Sequence, residues 1–301
     1  MPGPHLLLKE VRAEFLTASA IPVLLGVAVA RYETGAWDPY LLLLTLLGAV
    51  FMHMATNTAN DYFDHRSGAD AANTEYVRPF TGGTRLIQEG VLSPRAVGLL
   101  TLVLTAAALV IGALLYAARG PVILIFGAAG IFLGYFYTGP PLRLAHRGLG
   151  ELSVGVGYGL ISVGAFYVQS GTISTTSVVA SLPMAFLVTC IILINEFQDY
   201  RGDMAAGKDT LVVRSGRERA VVLFGTLIAA AFLSLIAGVE LKVLPLHALA
   251  GLLPAPLAIR AVVTARKSFD RPADLVPANA ATIASHALTG LLMTAGFILA
   301  G

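Results

Sequence analysis

Residues 39–64 read PYLLLLTLLGAVFMHMATNTANDYFD, an apolar run that ends in a dense polar cluster. Residues 39–58 are long enough to cross a hydrocarbon layer of about 30 Å as a helix, at a rise of about 1.5 Å per residue. The amides and carboxylates that follow are costly to place inside a membrane. The stretch therefore predicts a membrane-spanning helix that brings carboxylates to one membrane surface.

The composition extends this prediction to the whole chain. Of 301 residues, 56% are hydrophobic and only 13% are charged, whereas soluble domains carry about 25% charged residues. The chain is too apolar for a disordered protein, and a net charge of +2 gives no argument for nucleic acid binding. A single cysteine, Cys190, excludes an internal disulfide framework and a multi-cysteine zinc site. We predict an all-α polytopic membrane protein in which residues 1–301 form one domain.

Nine apolar runs are predicted to span the membrane. They cover residues 15–30, 39–58, 96–118, 121–138, 152–171, 173–195, 220–239, 243–263 and 278–300. The first run is followed by others along the whole chain, so it is interpreted as a span and not as a cleaved signal peptide.

The loop charges give the orientation, because Lys and Arg concentrate on the cytoplasmic side. With nine spans, one side holds three basic residues, Arg31, Arg119 and Lys242, which leaves 17 of the 20 for the other side. This predicts a cytoplasmic N-terminus and a C-terminus outside. The basic stretch 260–271 is interpreted as a solvated loop. The two long charged loops, after spans 2 and 6, lie on the cytoplasmic side, so the protein is expected to act there.

The first acidic cluster follows span 2. At 100° per residue, Asn57, Asn60, Asp61 and Asp64 fall within an arc of about 100° of one helical face. This cluster is followed by Asp70.

The second acidic cluster occupies the same end of span 6. Asn195, Asp199 and Asp203 are spaced i, i+4, i+8 and stack along one face. Asn57 and Asn195 are 138 residues apart, as are Asp61 and Asp199, which indicates a weak parallel repeat. Carboxylates at this spacing repel one another, and Mg²⁺ is the oxygen-seeking ion that would compensate them while gripping a diphosphate. The alternative is that these residues only cap helix ends.

Basic residues suited to an anion surround both clusters. Arg78 and Arg85 flank a Gly82-Gly83 pair, Arg143 and Arg147 follow span 4, and Lys208 follows the second cluster. Arginine binds phosphate in a bidentate manner and paired glycines allow close backbone approach, but a simple turn and ordinary positive-inside charge remain alternatives. The histidines within spans, His53 and His286, are interpreted as buried and hydrogen-bonded and not as metal ligands.

The motifs Asn60-Asp61-Tyr62-Phe63-Asp64 and Asp199-Tyr200-Arg201-Gly202-Asp203 resemble the two Asp-rich motifs of the UbiA superfamily of intramembrane prenyltransferases. Three further stretches resemble its menaquinone-type branch, the 1,4-dihydroxy-2-naphthoate prenyltransferases: Gly68-x-Asp70, the segment from Gly207 to Gly216, and Arg147-Gly148-Leu149-Gly150-Glu151. One position departs from the superfamily, because Gly68 stands where many members carry a third Asp.

The resemblance implies Mg²⁺-dependent transfer of an isoprenyl chain from its diphosphate to an aromatic acceptor, in menaquinone biosynthesis for this branch. It implies metal ligands at Asn60, Asp64, Asp70, Asp199 and Asp203, with two Mg²⁺ bridging the diphosphate. The implied catalytic residues are Asp61, Asp64, Asp199 and Asp203. The proton of the acceptor ring is taken by a carboxylate, Asp61 or Asp70, or by the released pyrophosphate. The implied substrate-binding residues are Asn57, Arg78, Arg85, Tyr137, Arg143, Arg147, Asn195 and Lys208, and Tyr135 is an alternative to Tyr137 for stabilising an allylic cation.

Other functions stay open. Within the superfamily the acceptor can be 4-hydroxybenzoate, homogentisate, a tetrapyrrole or a glycerol phosphate lipid. From other classes, a cation-coupled transporter would place its site nearer the bilayer midplane, and an alcohol phosphotransferase would show a glycine-spaced acidic signature. The expected partners are a prenyl diphosphate, a small aromatic acceptor and the lipid bilayer, without nucleic acid or an obligate protein partner. The expected location is the cell (inner) membrane with the active site facing the cytoplasm.

Overall fold

A computed structural model describes residues 3–301 and contains helices but no strand in that range. Twelve α-helices are joined by loops and four short 3₁₀ segments. Their bounds are α1 Pro4–Glu10, α2 Thr17–Thr34, α3 Pro39–Ser67, α4 Ala69–Ala72, α5 Pro94–Arg119, α6 Val122–Thr138, α7 Gly150–Ser170, α8 Thr175–Ala205, α9 Leu211–Ser215, α10 Arg217–Glu240, α11 Ala255–Ser268 and α12 Val276–Ala300.

Eight helical segments in the described range are long and apolar enough to cross a membrane. They are Ala13–Thr34, Pro39–Ser67, Pro94–Arg119, Gly150–Ser170, Thr175–Ala205, Arg217–Glu240, Leu246–Ser268 and Pro272–Ala300. The remaining predicted run, 121–138, forms α6, an apolar helix of 17 residues with a length of about 26 Å. The all-helical membrane fold is confirmed, whereas nine crossings and the orientation of the termini stay predictions.

Several helices continue beyond the predicted spans. Helix α3 runs to Ser67 and α8 to Ala205, so both acidic clusters are helical. Helix α3 ends where Gly68 adopts a φ of +81°, a conformation that favours glycine. The prediction of a loop over 260–271 is wrong, because α11 continues to Ser268 and includes Arg260.

The helices pack around a core at the centre of the bundle. Phe166 of α7, Met184 of α8 and Phe297 of α12 are fully buried in one apolar cluster. A second cluster joins α8 to α10 and contains Phe197 and Phe224, which are also fully buried. This packing fixes α8 between the two clusters and holds its polar end in place.

Candidate active site

A cavity of about 320 Å³ lies among α2, α3, α6, α7, α8 and α12. On α3 its lining extends from Ala49 to Asp64, a length of about 22 Å along the helix. Apolar residues such as Met52, Leu133 and Ile192 line much of the wall, and polar residues gather near the ends of α3 and α8. The cavity therefore offers a polar end joined to a long apolar space.

Helix α3 presents three of its four clustered polar residues to this cavity. Asn57, Asn60 and Asp64 line it, and Asn60 donates from Nδ2 to Asp64 Oδ2 at 2.8 Å. Asp61 does not line the cavity; it is buried, pairs with Arg12 and accepts from Thr84 Oγ1 at 2.6 Å. The four residues predicted to share one face of α3 are thus divided: three line the cavity, and the fourth is held in buried contacts beside it.

Helix α8 presents its whole predicted stripe to the same cavity. Asn195, Asp199 and Asp203 line it, together with Glu196. Asn195 Oδ1 accepts from Asn279 Nδ2 at 2.8 Å, and Asp199 Oδ1 accepts from Asn73 Nδ2 at 2.5 Å. These bonds fix the rotamers of both side chains.

Lys208 links the two helices. Its Nζ lies 3.8 Å from Asp64 Oδ2 and 3.6 Å from Asp203 Oδ1. Burial alone would lower the pKa of Lys208, but the carboxylates of Asp203 and Asp64 raise it well above its usual value. Lys208 therefore stays charged and partly neutralises two acids that are each only 6% exposed.

Arg12 is a second cation at the polar end, and the sequence reasoning did not select it. It precedes α2, lines the cavity, pairs with Asp61 and donates to Asn60 Oδ1 at 3.1 Å. Burial opposes its charge, but Asp61 raises the pKa of Arg12 above its ordinary value. The signal available in the sequence is a lone arginine at the start of the first span.

The segment after α3 covers the polar end. Asp70 lines the cavity, and burial together with the nearby Asp64 and Asp61 raises the pKa of Asp70 to about 8. Arg85 does not line the cavity. It stacks on Tyr76 at 4.3 Å and donates to the carbonyl of Asp70 at 2.9 Å. Arg85 therefore shapes the segment that carries Asp70.

The other predicted substrate-binding residues divide between the cavity and the surface. Tyr137 lines the cavity, whereas Tyr135 is 41% exposed and packs on Phe63. Arg78 pairs with the exposed Glu89. Arg143 lines a separate small cavity beside α3, and Arg147 donates to the carbonyl of Pro141 at 3.3 Å. The structure does not bring these three arginines to the polar end.

The oxygens at the polar end suit Mg²⁺. Asp64 Oδ1 and Asp203 Oδ2 are buried without a hydrogen-bond partner. Within residues 3–301, no three His, Cys, Asp or Glu side chains converge to chelate an ion by themselves. Mg²⁺ is commonly bound by one or two carboxylates and completes its shell with water and substrate phosphate, so the donor set fits that ion arriving with a diphosphate.

Comparisons with known proteins show the family and the fold of this chain. The UbiA prenyltransferase family matches residues 19–297. The 1,4-dihydroxy-2-naphthoate octaprenyltransferase of Bacillus subtilis is 28% identical over 299 residues, which cover 98% of this chain and 93% of that protein. The enzyme of the same name from Escherichia coli K12 is 30% identical over 307 residues, which cover 97% and 94%. A UbiA homologue from Archaeoglobus fulgidus, solved bound to DMAPP and Mg²⁺, shares the fold with a TM-score of 0.67 at 17% identity over 98% of each chain.

Proposed function

This chain belongs to the UbiA prenyltransferase family and is a membrane prenyltransferase, and from that premise we propose that it transfers a prenyl chain to 1,4-dihydroxy-2-naphthoate. The observation that carries the proposal is the polar end of the cavity, where Asp64 and Asp203 from two helices meet across Lys208. The acceptor is chosen because two 1,4-dihydroxy-2-naphthoate octaprenyltransferases match nearly the whole chain.

Two groups of ligands would hold two Mg²⁺ ions. Asn60, Asp64 and Asp70 supply oxygens on the α3 side, and Asp199 and Asp203 supply oxygens on the α8 side. When bound, Mg²⁺ supplies positive charge that neutralises the diphosphate and stabilises it as a leaving group. Lys208 and Arg12 add positive charge from the protein at the same end.

The chain's own residues then favour breakage of the bond between prenyl C1 and the diphosphate oxygen. Tyr137 offers an aromatic face that can stabilise the allylic cation. Apolar side chains such as Leu133 and Ile192 exclude water that would quench it. The acceptor ring forms a carbon–carbon bond to C1 and then loses its displaced substituent, a proton or, at a carboxylated carbon, carbon dioxide. Of the two candidate bases, Asp70 lines the cavity and Asp61 does not.

The location follows from the same features. The apolar helices keep the prenyl chain within the bilayer, and the 17 basic residues that nine spans assign to one side support a polar end at the cytoplasmic face of the cell (inner) membrane. Both substrates are then recruited where the charged ends of α3 and α8 emerge.

The test uses purified protein in detergent with Mg²⁺, farnesyl or geranylgeranyl diphosphate and a panel of acceptors. We expect a prenylated dihydroxynaphthoate that is lost with EDTA and in Asp64→Asn and Asp199→Asn. Asp270→Asn, which removes an exposed carboxylate, should keep full activity. Normal turnover in both cavity variants at saturating Mg²⁺ contradicts the metal assignment. A product from another acceptor contradicts the acceptor assignment, and no diphosphate release with any acceptor points to a transporter.

A further inference from the structure

Three polar side chains meet inside the membrane-embedded part of the cavity. Ser19 of α2, His53 of α3 and Tyr158 of α7 all line it. Ser19 Oγ lies 2.7 Å from His53 Nδ1, and Tyr158 Oη lies 3.1 Å from His53 Nε2. Polar groups within a membrane are costly and usually serve a function. We call Ser19, His53 and Tyr158 the deep polar group.

The hydrogen-bond count of this group leaves acceptor sites free. The group carries three protons, one on the neutral imidazole and one on each hydroxyl, and five lone pairs that can accept a hydrogen bond. Ser19 Oγ contacts His53 Nδ1, and Tyr158 Oη contacts Nε2 and also lies 3.3 Å from Nδ1. Even when all three protons are used inside the group, two lone pairs remain, and these can accept from a hydroxyl of a ligand in the cavity.

The deep polar group lies on the same face of α3 as the polar end of the cavity. His53 precedes Asn60 by seven residues on α3. Seven residues turn the helix by about 700°, so the two side chains share one face and lie about 10 Å apart along the axis. An aromatic acceptor that reacts at prenyl C1 beside Asn60 and Asp64 lies between these two levels.

A second wall of the cavity also carries an unsatisfied polar side chain. His286 of α12 lines the cavity, is 2% exposed, and its buried Nε2 has no hydrogen-bond partner in the described part of the chain. An unsatisfied buried polar group costs free energy, so this wall too suits an occupant with a polar atom better than a purely hydrocarbon chain.

We propose that the deep polar group binds a ring oxygen of the aromatic acceptor and thereby orients the ring beneath prenyl C1. This inference rests on the proposed function, because it assumes that the cavity receives an aromatic acceptor. The group selects an acceptor whose oxygen lies on the side of the ring away from the diphosphate. Ser19, His53 and Tyr158 are positioning residues for that ring.

The experiment pairs variants with acceptor analogues. Wild type, Tyr158→Phe, His53→Leu and Ser19→Ala are assayed with 1,4-dihydroxy-2-naphthoate and with 1-hydroxy- and 4-hydroxy-2-naphthoate, each of which lacks one ring hydroxyl. We expect wild type to prefer the dihydroxy acceptor in kcat/KM by about ten-fold over the analogue that lacks the bound oxygen. The variants should lose most of this preference while the KM for the prenyl diphosphate stays unchanged.

Tyr167→Phe is the matched control. Tyr167 lies on α7, like Tyr158, but outside the cavity, where its hydroxyl donates to the carbonyl of Arg119 at 2.9 Å. This variant should keep the wild-type preference. A fall in activity that is equal for all three acceptors, or an unchanged preference in every variant, overturns the inference.

The proposed acceptor and this inference fail separately. If wild type prenylates no naphthoate, the proposed acceptor is wrong. Wild type and the three variants are then compared on the aromatic acceptor that wild type does use and on an analogue that lacks its distal oxygen. If a variant loses kcat/KM equally for the acceptor and for the analogue, the deep polar group is not the binding site. Failure of wild type to prenylate any aromatic acceptor overturns the inference as well.

Discussion

Replacing Lys208 with Met removes the charge that lies between the two acidic helices and keeps most of the aliphatic side chain. Lys208 Nζ lies within 4 Å of both Asp64 and Asp203, and its side chain is only 14% exposed. At an effective dielectric constant of about 20, each attraction at this distance amounts to about 4 kcal/mol. Part of this is offset by the desolvation of the ammonium group, and removal of one partner from a buried ion pair typically costs about 3–5 kcal/mol. We expect a loss of that size in the free energy of unfolding.

The assay is thermal unfolding in detergent with EDTA present. A loss of 3–5 kcal/mol corresponds to a fall in Tm of about 6–10 °C, at about 2 °C per kcal/mol for a chain of this size. Added Mg²⁺ should raise the Tm of Lys208→Met more than that of wild type, because an ion that binds the folded state replaces the missing charge. Lys242→Met, at an exposed position, is the control and should change the Tm by less than about 1 °C. A Tm of Lys208→Met within 1 °C of wild type in EDTA refutes the electrostatic reasoning.

Two further variants test the surroundings of the site. Burial and the neighbouring Asp61 raise the pKa of Glu10 to about 7. Between about pH 4.5 and 7 the folded state therefore keeps a proton that the unfolded state has lost, so stability falls as the pH rises through this range. Glu10→Gln should remove this decline, which amounts to at most about 3 kcal/mol. Melting curves of the variant that keep the wild-type pH dependence would contradict this. A Cβ at Gly202 would lie 2.7 Å from Asn73 Cα, so Gly202→Ala should displace Asn73 from Asp199 and lower kcat/KM at least ten-fold, despite a gain of about 1 kcal/mol in helix propensity. Gly225→Ala meets only Val262 Cγ1 at 3.5 Å and should keep activity, whereas similar activity in both variants would exclude a steric effect at Gly202.

The fold could be predicted from the sequence because membrane spans are long and apolar. The ends of the helices could not, since hydropathy falls wherever a helix leaves the bilayer, whether or not the helix stops there. Residues 59–67 of α3 illustrate this, because they are mostly polar and yet helical as far as Ser67. Arg260 led to a related error. It lies on the exposed face of α11, but its charge was interpreted as the sign of a loop.

The candidate site was predictable along each helix but not between elements. Helical spacing groups Asn60, Asp61 and Asp64 on one face, but it cannot show that Arg12 and Thr84 draw Asp61 to the side. That outcome depends on where α1 and the segment after Gly83 pack. The positions of the arginines could not be predicted for a related reason. Loop charges indicate a side of the membrane, but they do not reveal a local partner such as Glu89 for Arg78.

Lys208 reaches the acidic end of α3 late in the synthesis of the chain. Asp64 and Lys208 are separated by 144 positions in the chain, which a ribosome covers in about 7–30 s at 5–20 residues per second. During that interval α3 is already available to the membrane, while the carboxylates at its end lack the lysine that later neutralises them. Arg12 is synthesised before α3 and pairs with Asp61, so one acid at the end of α3 has its partner within the first half of the chain. Asp64 is paired only once Lys208 has been synthesised, so its neutralisation belongs to the assembly of the second half of the bundle.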